Sequence, residues 1–141
     1  MATTNATITI NSDIMSYSGS VSTTMTMKKF GSTVGVEETT GLQVKKFNSA
    51  SAVKIVDNTE GTAGKGSKVY IRNTGSSPTD FFYVTLANGA AASDSTETIG
   101  RLYGGDWMLM PWIATAATTH DIHVAPSTTS TMTLEYMVFQ E

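Results

Sequence analysis

The stretch from Ile99 to Ile113 constrains the fold most strongly, because it concentrates large apolar side chains. It contains both tryptophans and two of the eight methionines, and it includes the turn sequence Tyr103-Gly-Gly-Asp106. After the turn, alternation would place one apolar set on each face of a strand: Trp107, Leu109 and Ile113 on one, Met108, Met110 and Trp112 on the other. A strand with two apolar faces is either buried on both sides or lies where one side meets another protein.

The turn sequence predicts a β-hairpin within this stretch, because glycine adopts positive φ without steric cost and aspartate bonds its own backbone. Pro111 has no N–H to donate, so we expect it at a sheet edge, at a bulge or beyond the strand pairing. The run Asp80–Leu86 is also apolar on both faces. We therefore expect it to lie near Ile99–Ile113, beside it in a sheet.

Short segments of alternating or β-branched residues recur along the chain, separated by turns rich in Gly, Ser, Thr and Pro. The clearest are Val21–Lys28, Leu42–Phe47, Ala52–Val56, Lys68–Asn73, His120–Val124 and Met132–Phe139. No segment shows a helical period. The predicted fold is all-β, a single antiparallel β-sandwich or jelly-roll-like domain of about ten short strands. Residues 1–20 are predicted to form a polar N-terminal arm or first strand, and residues 21–141 the sandwich.

The composition favours a surface that packs against neighbours. Charged residues make up 15% of the chain, against about 25% in ordinary soluble domains, and 24 threonines and 15 serines take their place. The net charge of −3 without a basic run argues against a nucleic-acid partner. No run approaches the roughly 18 apolar residues of a membrane span, and no leader is recognisable, so we expect synthesis in the cytoplasm.

No constellation in the sequence predicts catalysis. His120 and His123 are three residues apart and would point to opposite faces of a strand, so we interpret them as surface histidines and predict no metal site. Gly64-Lys-Gly-Ser67 lacks the first glycine and the following Ser or Thr of a phosphate-binding loop. We predict no catalytic residue and no cofactor. Tyr103, Trp107 and Trp112 offer an alternative as a sugar-stacking platform.

Five segments of the second half follow one another in a distinctive order: Val69–Gly75, Phe82–Leu86, Ile99–Trp107 leading to Pro111, Asp121–Val124 and Leu134–Glu141. In this order the chain from Lys68 to Glu141 resembles small β-sandwich virion structural proteins of tailed bacteriophages, of the capsid decoration or cement type. Many such proteins have a Pro-Gly-Glu turn where this chain has Gly104-Gly105-Asp106. The first 60 residues carry no such resemblance, and we expect them to form an arm or extra strands that reach a neighbouring subunit.

The resemblance implies a non-enzymatic virion structural protein that stabilises a phage head by subunit packing. A phage tail or fibre-base subunit is the alternative within this class, a carbohydrate-binding sandwich module the alternative outside it, and a hydrolase ranks third. The implied partners are further copies of the chain, as in a trimer, and a major capsid or other virion protein, with no nucleic acid and no membrane. The implied location is the virion. The candidate interface residues are Ile8, Ile10, Tyr103, Trp107, Met108, Met110 and Trp112.

Overall fold

The computed structural model describes residues 5–12, 19–26, 38–86, 98–113 and 120–140. Within these ranges the chain forms strands and one turn of 3-10 helix at Asn58–Glu60. The strands are β1 (Asn5–Ser12), β2 (Gly19–Thr26), β3 (Glu38–Thr39), β4 (Gln43–Phe47), β5 (Val53–Val56), β6 (Ser67–Asn73), β7 (Phe81–Leu86), β8 (Thr98–Tyr103), β9 (Trp107–Trp112), β10 (Ile122–Pro126) and β11 (Met132–Gln140). In this part of the chain there is no helix long and apolar enough to cross a membrane.

Two antiparallel sheets pack together, which confirms the predicted β-sandwich. The four-stranded sheet has the order β5-β10-β7-β8. The five-stranded sheet has the order β3-β11-β6-β9, and β4 pairs with β11 on the same side as β3. Because β4 and β5, β6 and β7, β8 and β9, and β10 and β11 lie in different sheets, the chain crosses repeatedly from one layer to the other.

Residues that alternate along the strands supply the core between the sheets. Every second residue of β11 is buried, from Met132 to Gln140, and β6 has the same period from Ser67 to Asn73. The inward side chains of both sheets form one cluster: Phe47, Ile55, Val56, Val69, Ile71, Phe82, Val84, Leu102, Trp112, Ile122, Val124, Met132, Leu134, Tyr136 and Val138. Phe47 and Phe82 meet edge to face across the two layers, with ring centroids 5.1 Å apart.

The turn Tyr103–Asp106 forms as predicted, but the predicted hairpin is wrong. The Asp106 N–H donates to the Tyr103 carbonyl over 2.9 Å, and Gly105 has a φ of 88°. The strands on either side of the turn do not pair: β8 pairs with β7, and β9 pairs with β6 in the other sheet. The turn therefore carries the chain between layers. The pairing of β7 with β8 confirms that Asp80–Leu86 lies beside the Ile99–Ile113 stretch.

Among the described strands, β8 and β9 are the last in their sheets, so Pro111 lies on an edge strand, as predicted. β1 pairs along its whole length with β2, with Asn5 opposite Thr26 and Ser12 opposite Gly19. These two strands form a separate hairpin that pairs with no other described strand. The division of the chain near residue 20 stays a prediction, and residues 13–18 lie outside the described ranges.

Candidate interaction surface

The strand β9 divides its apolar side chains between the core and the outside. Trp112 is 6% exposed, and its indole N–H donates to the His120 carbonyl over 2.8 Å. Met108 and Met110 pack against the core on the same face. Trp107 is 45% exposed, and Leu109 shares its outward face. β9 is therefore not buried on both sides: one face packs on the core, and the other carries the exposed Trp107.

The outward face of β9 continues across the five-stranded sheet. In register, Leu109 lies opposite Tyr70, which lies opposite Met137 on β11. The neighbouring rows contribute Trp107 at one end, Phe139 at the other, and Val44 on β4. We call this surface the apolar face and define it by Val44, Tyr70, Trp107, Leu109, Met137 and Phe139.

The charged side chains on this side of the sheet are Arg72, Glu135, Lys68 opposite Phe139, and Lys46 on β4. The Arg72 guanidinium lies 3.9 Å from the Glu135 carboxylate, in the row between Trp107 and Val44. Tyr70 and Trp107 pack with ring centroids 6.5 Å apart. Tyr, Trp, Met and Arg are the residue types enriched at protein interfaces. A contiguous apolar patch on a sheet face is the kind of surface that often marks a protein interaction site.

A second group of aromatic side chains lies on the outer face of the four-stranded sheet. Phe81 packs against Tyr83 and Tyr103 at centroid distances of 4.9 and 5.1 Å. The Arg101 guanidinium lies 4.8 Å from the Phe81 ring centroid and 5.4 Å from that of Tyr83. A hydrogen bond with Tyr103 raises the pKa of Arg101 above its ordinary value, so the guanidinium stays charged. This arginine–aromatic cluster presents a cation held flat against rings.

The structure separates the candidate interface residues into exposed and inward-facing ones. Trp107, Tyr103 and Ile10 are exposed, and Ile8 is half-buried. Trp112 is in the core, and Met108 and Met110 face it. Any contact that β9 makes through its outer face would therefore involve Trp107 and Leu109. The interface role of these residues stays a prediction.

Sequence reasoning missed Tyr70, Met137 and Phe139, which are half-buried and extend the apolar face beyond β9. A signal was present in the last strand, where Met137 and Phe139 alternate with the buried Tyr136, Val138 and Gln140. Apolar residues on both faces predict a second contact there, as they do in β9.

The predicted sugar-stacking platform of Tyr103, Trp107 and Trp112 does not exist as one surface. Trp107 and Trp112 lie on opposite faces of the five-stranded sheet, and Tyr103 lies on the outer face of the other sheet. A saccharide stacks on rings that share one surface. Any sugar site on this chain would therefore use a different set of rings, such as the arginine–aromatic cluster.

The predicted surface pair of histidines is also wrong. His123 is 8% exposed, and among the described residues its Nδ1 and the Oγ1 of Thr85, its buried cross-strand neighbour, have no hydrogen-bond partner. Every residue of β10, which lies between β5 and β7, is buried. Among the residues that the structure describes, no three His, Cys, Asp or Glu side chains form a group that could hold a metal ion.

A charged network connects β5 to the residue that precedes β10. The Lys54 ammonium lies 2.7 Å from the Asp57 carboxylate and 2.9 Å from that of Asp121, which is 2% exposed. The other Asp121 oxygen accepts a hydrogen bond from the Asn58 N–H over 2.8 Å. Hydrogen bonds from Lys54 and then from Thr59 hold the pKa of Asp57 well below its usual range. Asp121 thus anchors the loop after β5 to the four-stranded sheet.

A pocket of about 130 Å³ lies beside β3 and the end of β11, lined by Glu38, Thr39, Thr40, Glu60, Val138 and Gln140. Glu60 is at its exposed rim, yet partial desolvation of its carboxylate raises its pKa, with the Asp57 charge adding to the rise. Burial, and then the Glu60 charge, raise the pKa of Tyr136, whose hydroxyl donates to Gln43 over 2.6 Å. The negative charge of Glu60 at the rim of the pocket therefore contributes to the raised pKa of the buried Tyr136.

Replacing Glu60 by glutamine is expected to lower the pKa of Tyr136 toward its ordinary value of 10.0, because one negative charge is removed. The raised pKa of Glu60 means that its protonated form stabilises the fold below the ordinary value of 4.5, and that this contribution is lost as pH rises. E60Q should therefore be more stable than the parent at neutral pH and equal to it in acid. NMR titration of tyrosine and melting curves at both pH values would measure this. An E38Q control that moved Tyr136 equally would contradict it.

Comparison of the chain with protein-family models, with curated proteins and with solved structures gives no match.

Proposed function

We propose that this chain is a non-enzymatic structural protein of a virion, and that it decorates or cements a phage head by packing against copies of itself and against the major capsid protein. The observation that carries the proposal is the apolar face, which extends across β4, β11, β6 and β9. Its exposed members include Val44 at 59% and Trp107 at 45%. Burial of such a surface is the main source of stability in a permanent protein interface.

The low charge of the chain supports the same proposal. Charged groups lose hydration when two proteins meet, and this cost often exceeds the Coulomb energy they recover. A surface built mostly from Thr, Ser and apolar residues avoids most of that cost. Its hydroxyl groups still offer hydrogen bonds at the rim of a contact, where water is only partly displaced.

Replacing Trp107 by serine is expected to weaken self-association by roughly thirtyfold, because buried tryptophans at interfaces contribute about 2 kcal/mol or more. The thermal stability of the isolated chain should change little, because Trp107 is 45% exposed. The matched control is Ile99→Ser, which removes a side chain of 46% exposure from the outer face of the other sheet. Light scattering on a size-exclusion column over a range of concentrations would measure the masses.

Binding to shells tests the second half of the proposal. Cosedimentation with shells assembled from the major capsid protein of the same phage should retain the parent chain and I99S, and lose W107S. A parent chain that stays monomeric at all concentrations and remains in the supernatant would overturn the proposal. Binding to isolated tails or tail tubes instead of heads would select the tail or fibre-base alternative, and electron microscopy of the bound particles would show the position.

The arginine–aromatic cluster supports a carbohydrate-binding module as the second candidate. Phe81, Tyr83 and Tyr103 lie within 5.1 Å of one another along the contacts Phe81–Tyr83 and Phe81–Tyr103, and Arg101 adds hydrogen-bond donors beside them. Rings with adjacent donors suit a saccharide, whose faces are apolar and whose edges carry hydroxyls. A glycan panel read by NMR shifts of these rings would test this candidate, and unchanged spectra across the panel would end it.

A further inference from the structure

We propose that the β1–β2 hairpin is an exchange arm, which docks on the apolar face of a second copy of the chain. The inference rests on the proposed function in one respect only, which is that copies of the chain assemble. It adds that the β1–β2 hairpin of one copy makes the contact, and that the apolar face of another copy receives it.

No other strand in the described part of the chain pairs with the hairpin. Among the described strands, β1 and β2 pair only with each other, and an isolated two-stranded hairpin is at best marginally stable in water. Along β1, Ala6, Ile8 and Ile10 alternate with Thr7 and Thr9, so one face is apolar. Ile10 is 57% exposed. Ala6 and Ile8 are half-buried, so the apolar face of β1 is open at Ile10.

The composition of the hairpin matches the surface that would receive it. Neither Asn5–Ser12 nor Gly19–Thr26 contains a charged residue. On the apolar face, Arg72 and Glu135 pair with each other, and the row of Leu109, Tyr70 and Met137 is uncharged. An uncharged arm can cover this row without separating that ion pair, and Lys68, opposite Phe139, lies in the next row.

The dimensions also agree. Neighbouring strands are about 4.8 Å apart, so the three strands β9, β6 and β11 present a surface about 10 Å wide, which is close to the width of a two-stranded ribbon with its side chains. Sheets packed face to face lie about 10 Å apart, and side chains from both fill the space between them. Ile8 and Ile10 on the arm, with Leu109, Tyr70 and Met137 on the face, would supply that layer.

A second copy is the occupant, because in the described part of the chain the hairpin pairs with no other strand while both surfaces have exposed apolar members. Ile10, Trp107 and Val44 are all among the exposed large apolar residues. Eleven residues separate Thr26 from Glu38, and an extended connection of that length reaches at most about 40 Å. That reach is sufficient for a neighbouring domain. Mutual exchange of arms between two copies closes a dimer, and one-way exchange closes a ring such as a trimer where the rotation between copies allows it.

Two lysine substitutions test which face of β1 makes the contact with the second copy. Ile10→Lys places a charge on the apolar side of β1, and Thr9→Lys places the same charge on the opposite side, where the residue is also exposed. I10K is expected to weaken self-association more than tenfold, and T9K to leave it within twofold of the parent, by light scattering. Equal masses for I10K and the parent would overturn the inference.

Disulfide cross-linking tests where the arm lies, because the chain has no cysteine of its own. A chain carrying Ile10→Cys would be co-expressed, under a different tag, with chains carrying Val44→Cys, Leu109→Cys or Met137→Cys. Arg101→Cys, on the outer face of the other sheet, is the control. Mild oxidation should join the Ile10→Cys chain to at least one of the three face variants, giving a product that carries both tags. It should give no such product with R101C.

The outcomes separate this inference from the proposed function. The exchange arm is overturned if Ile10→Cys and a face cysteine in the same chain cross-link within that chain at high dilution. It is also overturned if Ile10→Cys cross-links to none of the face variants. If such a protein still oligomerises and binds shells, the proposed function stands without the arm. Two-tag cross-links from a protein that binds no shell would support the arm and overturn the decoration of a phage head.

Discussion

Replacing Asp121 by alanine is expected to lower the free energy of unfolding by about 3 kcal/mol, the cost typical of removing one partner from a buried charged pair. The carboxylate is 2% exposed and is held between the Lys54 ammonium and the Asn58 N–H. Its removal takes the acceptor from that N–H and leaves Lys54 with Asp57 alone. Urea denaturation followed by tryptophan fluorescence would measure the change, because Trp112 bonds to His120, next to Asp121.

The matched control is Asp57→Asn, which removes the more exposed carboxylate of the same network. Its effect should be smaller, and it should depend on pH. The pKa of Asp57 is depressed, so its contribution is present above the ordinary value of 3.8 and is lost as pH falls. The pKa of Lys54 is raised, so its contribution is present below 10.5 and is lost as pH rises above that value. If D57N lowered the free energy of unfolding as much as D121A, the buried position of Asp121 would not explain the loss of stability in D121A.

Replacing Gly104 by alanine is expected to destabilise the fold by about 3 kcal/mol, at the upper end for a forced steric overlap. A Cβ at this position would lie 2.7 Å from the Ser77 carbonyl oxygen and 2.8 Å from the Ser77 nitrogen. These are backbone atoms, which cannot rotate away. Moving them would disturb the hydrogen bond from the Gly104 N–H to Ser77 and the contacts of the turn with Asn73.

Two other glycines of the same region serve as controls. A Cβ at Gly100 would meet nothing within 4 Å, so Gly100→Ala should be close to neutral. Gly105 also has open space, but its φ of +88° is unfavourable for alanine, and Gly105→Ala should cost about 1 kcal/mol. Melting curves of the three variants should follow this order. A G104A protein as stable as G100A would show that the turn can move away from Ser77.

The close approach at Gly104 has a consequence for the candidate interaction surface. The turn holds the end of β8 against the end of β6, where the buried Asn73 donates to the Leu102 carbonyl and accepts from the Gly75 N–H. This arrangement places the first residue of β9 beside the end of β6, so that β9 pairs in the five-stranded sheet. It thereby directs Trp107 and Leu109 outward, with Met108, Met110 and Trp112 toward the core. A variant that loosens the turn is therefore expected to weaken self-association as well as stability.

The strands and their two faces were predictable from the sequence, because the period of two is local. Each residue of an extended chain points opposite to its neighbour whatever the strand pairs with. For this reason the alternation in Trp107–Trp112 correctly separated Trp107 from Trp112, and Pro111 correctly indicated an edge. The all-β class followed from the same pattern repeated along the chain.

Only the tertiary structure decided which strands pair and which faces stay open. The turn Tyr103–Asp106 has the residues of a hairpin, but packing between the layers sends β8 and β9 to different sheets, and no local signal encodes that choice. His123 was predicted to lie on the surface, but it is buried. Burial depends on what packs against a strand, and the local sequence does not show that. The apolar face is likewise assembled from Val44, Tyr70, Leu109 and Met137, residues distant in sequence. Local alternation fixes where the strands lie, whereas the neighbours of each strand, and with them the surface available to a partner, depend on long-range packing.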